Sequence, residues 1–134
     1  MSPVSISDTV RDILTARVYD VAIESPLEKA EAISASLGCN VYLKREDLQP
    51  VHSFKLRGAY NKIAQLSSQE QDKGVITASA GNHAQALAYH GARLGVPVTI
   101  VMPEGTPFVK ADGTRAHGAT VVIKGLDFSG STEE

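Results

Sequence analysis

The chain has 134 residues, a formal net charge of −2, 43% hydrophobic and 21% charged residues, the balance of one globular domain able to bury a core. The near-neutral charge leaves no basic footprint for nucleic acid, and one cysteine, Cys39, excludes an internal disulfide and fits a reducing compartment. The apolar run Val96 to Met102 is too short to span a membrane, and the start, MSPVSISDTV, has neither a secretion core nor an arginine-rich organelle signal, so a soluble cytoplasmic protein is expected.

Residues 8–16 read as a short helix with Ser7 or Asp8 at its cap. Pro26 suits the first position of a second helix, capped by Ser25. Leu27, Ala30, Ile33 and Leu37 recur at helical spacing, and Gly38 ends it. Val41 to Lys44 is a strand, and a polar connection with the mixed-sign run Lys44-Arg45-Glu46-Asp47 leads to Pro50; that run reads as a solvated turn. Leu56, Ala59, Tyr60, Ile63 and Ala64 restore the helical period, with Ser53 as the expected N-cap. A polar stretch, Ser67 to Lys73, closes at Gly74.

Thereafter strands and helices alternate. Val75 to Ala78 is a strand; Ala84, Leu87, Ala88, Gly91 and Ala92 share a helix face. Val96 to Met102 is a strand, residues 107–118 hold a weaker helix, and residues 119–124 are a strand. Strand starts near 75, 98 and 121 keep the rhythm of βαβ units, which build a parallel sheet with right-handed crossovers. Sites in such sheets form at the carboxyl ends of strands, which directs attention to the loop after Ala78. LDFSGSTEE, at the end, has no periodic signal and is expected to fray.

Two segments have the make-up for chemistry. In Ser53-Phe54-Lys55 a lysine stands at a helix start, where the macrodipole and free N–H groups favour the neutral amine, the form that attacks an aldehyde. The same helix end accepts a phosphate. Pyridoxal phosphate has both groups, and Phe54 offers a flat apolar surface for its ring. Spacing alone favours Lys55 as an ordinary solvated charge beside Lys62 and Gln65, as most helical lysines are. In Ser79-Ala80-Gly81-Asn82-His83, Gly81 permits a tight turn, Ser79 and Asn82 bring polar side chains, and the following helix start can hold a carboxylate. An ordinary βα turn capped by Asn82 has the same composition. His52, His83, His90 and His117 lack companions at ligand spacing, so no metal is expected, and neither a P-loop nor GxGxxG is present.

Together the two segments carry a resemblance. YLKREDLQPVHSFKLRGAYNKI, followed by GVITASAGNHAQ, is similar to the fold type II (tryptophan synthase β-like) family of pyridoxal-phosphate-dependent β-elimination enzymes, and within it to biosynthetic threonine ammonia-lyases (threonine dehydratases). ARVYDVAIESPLEKA adds to that likeness, which covers residues 8–124. The resemblance implies a three-layer α/β parallel-sheet fold, incomplete in this chain. Residues 1–40 would be a helical segment of the large domain, residues 41–124 the small-domain core, and residues 125–134 a frayed tail. It makes Lys55 the Schiff-base lysine, with Phe54 against the cofactor and Asn82 on its ring oxygen. Ser79, Gly81, Asn82 and His83 would receive the substrate carboxylate. The implied reaction takes threonine to 2-oxobutanoate and ammonia, towards isoleucine, in a homo-oligomer that engages neither nucleic acid nor membrane. Two alternatives are a non-catalytic fragment lacking a complete cofactor site and a relative acting on serine as dehydratase or racemase. Ala86 stands where the family usually has glycine. The family's glycine-rich phosphate loop, its group facing the pyridine nitrogen and its regulatory domain have no counterpart in these residues.

Overall fold

The computed structural model describes residues 5–126. Helix α1 (Ile6–Thr15) is strongly amphipathic but buries none of its residues; Ile6, Ile13 and Leu14 lie exposed. A short 3-10 turn at Val18–Asp20 follows. The chain then departs from the helix expected at Pro26. Leu27–Lys29 is strand β1, paired antiparallel with β2 (Tyr42–Lys44) in the register Leu27↔Lys44, Glu28↔Leu43 and Lys29↔Tyr42. Hydrogen bonds from Ala30 N to Val41 O and from Arg45 N to Pro26 O extend the ladder at both ends. Long-range pairing has overridden the local helical spacing. Helix α2 is therefore only Glu31–Leu37, closed as expected by Gly38 in the left-handed conformation (φ 67°). Ser25 caps nothing; it is buried, its hydroxyl donates to Glu46, and its carbonyl accepts from Lys44 Nζ.

Helix α3 (Lys55–Ile63) follows a 3-10 turn at Glu46–Leu48. It buries Leu56, Ala59, Tyr60 and Ile63, positions given by the helical period. Its cap differs by one residue from expectation. Phe54 precedes the first helical residue, and Ser53 Oγ accepts the Lys55 N–H at 3.2 Å from one position further back. The polar stretch after it is a helix, α4 (Ser68–Lys73), without an apolar stripe. A capping box starts it: Ser67 Oγ accepts from Glu70 N, and the Glu70 carboxylate accepts from Ser67 N.

Strands β3 (Val75–Ala78), β4 (Val98–Met102) and β5 (Thr120–Ile123) form the expected parallel sheet in the order β3-β4-β5. Helix α5 (Asn82–Leu94) connects the first two and α6 (Phe108–Ala116) the last two. The inward side chains of β4, Val98, Ile100 and Met102, share one buried cluster with Leu56 and Ile63 of α3 and Ala84, Ala86, Leu87 and Ala88 of α5. Ala86, where a glycine was noted as usual, is wholly buried in this core. Gly91 is demanded by packing: a Cβ there would stand 2.2 Å from Val98 Cγ2 and 2.8 Å from the Val96 carbonyl oxygen. Ala92, expected on the same face, is exposed. The opposite side of the sheet carries Ile76, 70% exposed, and Val122, 39% exposed. The expected fraying of the tail falls on residues 127–134, outside the described residues; before them, Gly125 O accepts from Glu104 N.

Candidate functional site

Two helix starts meet at the carboxyl end of β3. Lys55 is the first residue of α3, and His83 the second of α5. Burial, and then the charge of Lys55, push the His83 imidazole below its ordinary pKa, so the two side chains feel one another and His83 is held neutral. The Lys55 amine lies 5.1 Å from the ring centroid of its exposed neighbour Phe54. Among the described residues it forms no ion pair and donates no hydrogen bond.

The second segment is anchored by Ser79 N, which donates to Val101 O at 3.0 Å. Ser79 Oγ accepts from Gly81 N at 3.3 Å, folding the turn back on itself. Gly81, not Asn82, occupies the cap position of α5, and no side chain caps that helix. The first N–H groups of α5 therefore lack intrahelical partners and face outward at its positive end. Gly81 has an extended backbone (φ −129°), and a Cβ added there would meet nothing within 4 Å, so no protein atom accounts for the missing side chain. Asn82 is exposed, and its side chain makes no hydrogen bond among the described residues. Beside this turn runs an open groove of about 340 Å³, lined by Ala80, Gly81, Pro103, Thr106 and Lys110 among others. Among the described residues the Thr106 hydroxyl, buried there, has no partner. A larger hollow of about 500 Å³ lies elsewhere, between α1 and the later turns of α3.

Of the run Lys44-Arg45-Glu46-Asp47, read from the sequence as a solvated turn, Lys44 and Asp47 are exposed, but Glu46 is half-buried and departs from that reading. Glu46 joins three segments. Arg57 Nε and Nη2 donate to its two oxygens at 2.9 and 3.0 Å, and Ser25 Oγ donates at 2.6 Å. The Arg57 bond above all, then Ser25, hold the Glu46 carboxyl at about 2 against the opposing effect of burial. Gln49, wholly buried, pairs with Ile23 as a second backbone would, donating to its carbonyl at 2.9 Å and accepting from its N–H at 3.0 Å. Arg45 pairs with Glu28 and Asp47. His52 takes a left-handed backbone (φ 52°), uncommon for a non-glycine residue, three positions before Lys55. Its N–H donates to Gln49 O at 2.7 Å, and its Nδ1 lies 3.1 Å from Asp47 O. Ile23 and Ser25 lie more than twenty residues from Gln49 and Glu46, so spacing carried no signal for those contacts. The exception is the unusually rich polar run itself.

Such a corner suits an anionic aldehyde. A primary amine stands without an ion-pair partner among the described residues, the helix start of α5 brings N–H groups that no side chain caps, and the backbone at Gly81 is open to approach. Among the described residues no group of three or more His, Cys, Asp or Glu side chains is placed to hold a metal ion.

Comparison with known proteins agrees with this chemistry. Residues 18–134 match the family described as pyridoxal-phosphate dependent enzyme. The chain is 62% identical over 117 residues to threonine dehydratase 2 biosynthetic, chloroplastic, of Solanum lycopersicum, covering 87% of this chain and 20% of that protein. It is 61% identical over 111 residues to L-threonine dehydratase biosynthetic IlvA of Burkholderia multivorans, covering 83% and 22%. The solved structure of the processed form of threonine deaminase isoform 2 from Solanum lycopersicum superposes with a TM-score of 0.87 at 55% identity, over 96% of this chain and 36% of that one. This chain thus spans about a fifth of the length of the curated relatives it matches. With the family matched from Val18 onward and the α/β parallel-sheet fold of its fold type II members superposing on the described residues, the chain belongs to the pyridoxal-phosphate dependent enzymes.

Proposed function

We propose that this chain provides the lysine-bearing part of an enzyme that converts L-threonine to 2-oxobutanoate and ammonia in isoleucine biosynthesis. The observation that carries the reading is the Lys55 amine, free of ion pairs among the described residues at the first position of α3 and facing His83 at the start of α5. Its support from relatives lies in the threonine dehydratase names of the similar proteins.

In this reading Lys55 Nζ would bind the cofactor aldehyde, Phe54 would lie against the cofactor ring, and Asn82, its side chain unspent among the described residues, would hydrogen-bond the ring oxygen. When bound, pyridoxal phosphate supplies the electron sink that makes an α-proton acidic and lets a β-substituent depart. Ser79, Gly81, Asn82 and His83 hold the substrate carboxylate through side chains and the open N–H groups of α5. Neutral His83 offers a hydrogen bond without competing for the negative charge. Lys55 Nζ would then be the group placed to take the proton from the substrate α-carbon. The β-hydroxyl would leave as water with the proton that Lys55 took, and addition of water to the resulting enamine would give 2-oxobutanoate and ammonia.

The division into a large-domain segment, 1–40, and a small-domain core, 41–124, belongs to the same proposal, as do a homo-oligomeric assembly and a cytoplasmic location. The β1–β2 ladder crosses residue 40, so the two parts would be held by strand pairing there. No helix among the described residues is long and apolar enough to cross a membrane.

The test is to load the protein with pyridoxal phosphate, add L-threonine or L-serine, and measure 2-oxobutanoate and pyruvate. Formation of 2-oxobutanoate, lost in Lys55→Ala, supports the reading. Pyruvate from serine without turnover of threonine would move the assignment to a serine enzyme. A protein that takes up the cofactor at Lys55 and turns over neither would mark the chain as a non-catalytic fragment.

A further inference from the structure

His90 follows His83 by two turns along α5 and is wholly buried. Its ring lies 5.3 Å from that of Tyr60 on α3 and 5.2 Å from that of Tyr89, centroid to centroid. Nε2 stands 2.8 Å from the backbone carbonyl oxygen of Leu56. A carbonyl only accepts, so Nε2 carries the hydrogen and Nδ1 is left with a bare lone pair. Among the described residues Nδ1 is buried with no partner. An unpartnered buried acceptor costs free energy, and a leucine would fill similar space without that cost. Burial, foremost, keeps the imidazole neutral; the Leu56 carbonyl opposes it and Arg93 reinforces it.

Beside its ring contacts with Tyr60 and Tyr89, the imidazole makes one hydrogen bond among the described residues, to Leu56 O, and a leucine could not replace it. Leu56 is the residue after Lys55, and its carbonyl has a second lone pair, so accepting from His90 leaves the bond within the helix intact. The bond ties the first turn of α3 to α5, the helix that begins with Asn82 and His83. We propose that His90 is a positioning residue for Lys55, its Nε2–H gripping the Leu56 carbonyl so that the lysine's turn keeps a fixed relation to the Asn82–His83 helix start. The significance for catalysis rests on the reading of Lys55 as the cofactor lysine.

The experiment compares the wild-type chain, His90→Leu and His90→Gln by amide hydrogen exchange without cofactor. It also compares the yield of pyridoxyl label on Lys55 after borohydride reduction at sub-saturating pyridoxal phosphate. His90→Leu should speed exchange in the first turn of α3 about tenfold while β4 is unchanged, and lower the Lys55 label about tenfold. His90→Gln, whose amide N–H reaches the same carbonyl, should return both to within about twofold of wild type. Unchanged exchange in α3, or an equal rise in α3 and β4, would overturn the inference. If His90→Leu does not fold, the imidazole ¹⁵N spectrum of the wild type decides: hydrogen on Nε2 supports the bond, and hydrogen on Nδ1 overturns it. A wild type with the local exchange pattern but no label on Lys55 would refute the cofactor reading while supporting the grip on α3.

Discussion

Replacing Glu46 by Gln removes one charge and almost no volume from the junction of Ser25, Gln49 and Arg57. The folded carboxyl titrates at about 2 against an ordinary value of 4.5. Because the folded value is the depressed one, the stabilisation is fully present above about pH 4.5. It is lost as the pH falls towards 2. At 1.36 kcal/mol per unit the shift corresponds to at most about 3 kcal/mol. The Arg57 and Glu46 side chains retain 24% and 17% of their exposure, so hydration reduces that figure, and about 1.5 kcal/mol is a sounder expectation at pH 7. Urea unfolding of both proteins at pH 7, 5, 4 and 3 isolates the term. Depressed carboxyls such as Asp47 and Glu70 are present in both and cancel. Their stability gap should narrow by about 1–2 kcal/mol between pH 5 and pH 3. A gap that stays constant over that interval would refute the claim that Glu46 enters the fold as a paired anion.

Gly91→Ala inverts the usual rule for helices. Alanine is favoured by about 1 kcal/mol in a helix interior, yet the added Cβ would lie 2.8 Å from the Val96 carbonyl, a backbone atom that cannot yield cheaply. A net loss of about 2 kcal/mol in thermal or urea unfolding is expected. Gly58→Ala in α3, where a Cβ meets nothing within 4 Å, should instead gain about 0.5–1 kcal/mol. Ser67→Ala breaks the capping box of α4 and should cost about 1 kcal/mol, with faster amide exchange confined to residues near 68–73.

What could be read from the sequence follows the range of the forces involved. Strands β3, β4 and β5 and helix α5 were legible because their β-branched runs and helical spacing reflect burial against immediate neighbours. β1 was not. Pro26 and the spacing of Leu27, Ala30, Ile33 and Leu37 imitate a helix, and only pairing with Tyr42–Lys44, a dozen residues later, makes Leu27–Lys29 a strand. α4 lacks an apolar stripe, so periodicity passed over it, although Ser67 and Glu70 at capping-box spacing were a usable signal. Ser53 was one residue out because its hydroxyl serves the Lys55 N–H from outside the helix. Lys55 and the Ser79–His83 turn could be named from the sequence, but only resemblance raised them above a solvated lysine and an ordinary turn. Glu46, Gln49 and Arg57 escaped because Ile23 and Ser25, which give them meaning, lie more than twenty residues away from Glu46 and Gln49.

The central claim is that Lys55, among the lysines of this chain, is the one built to take an aldehyde. It is tested most directly by treating the purified chain with pyridoxal phosphate, reducing with borohydride and mapping the pyridoxyl group by peptide mass spectrometry. The account predicts label concentrated on Lys55 and abolished in Lys55→Ala, with Lys62, Lys73 and Lys110 at background. Label spread evenly over the lysines, or unchanged in total by Lys55→Ala, would contradict it.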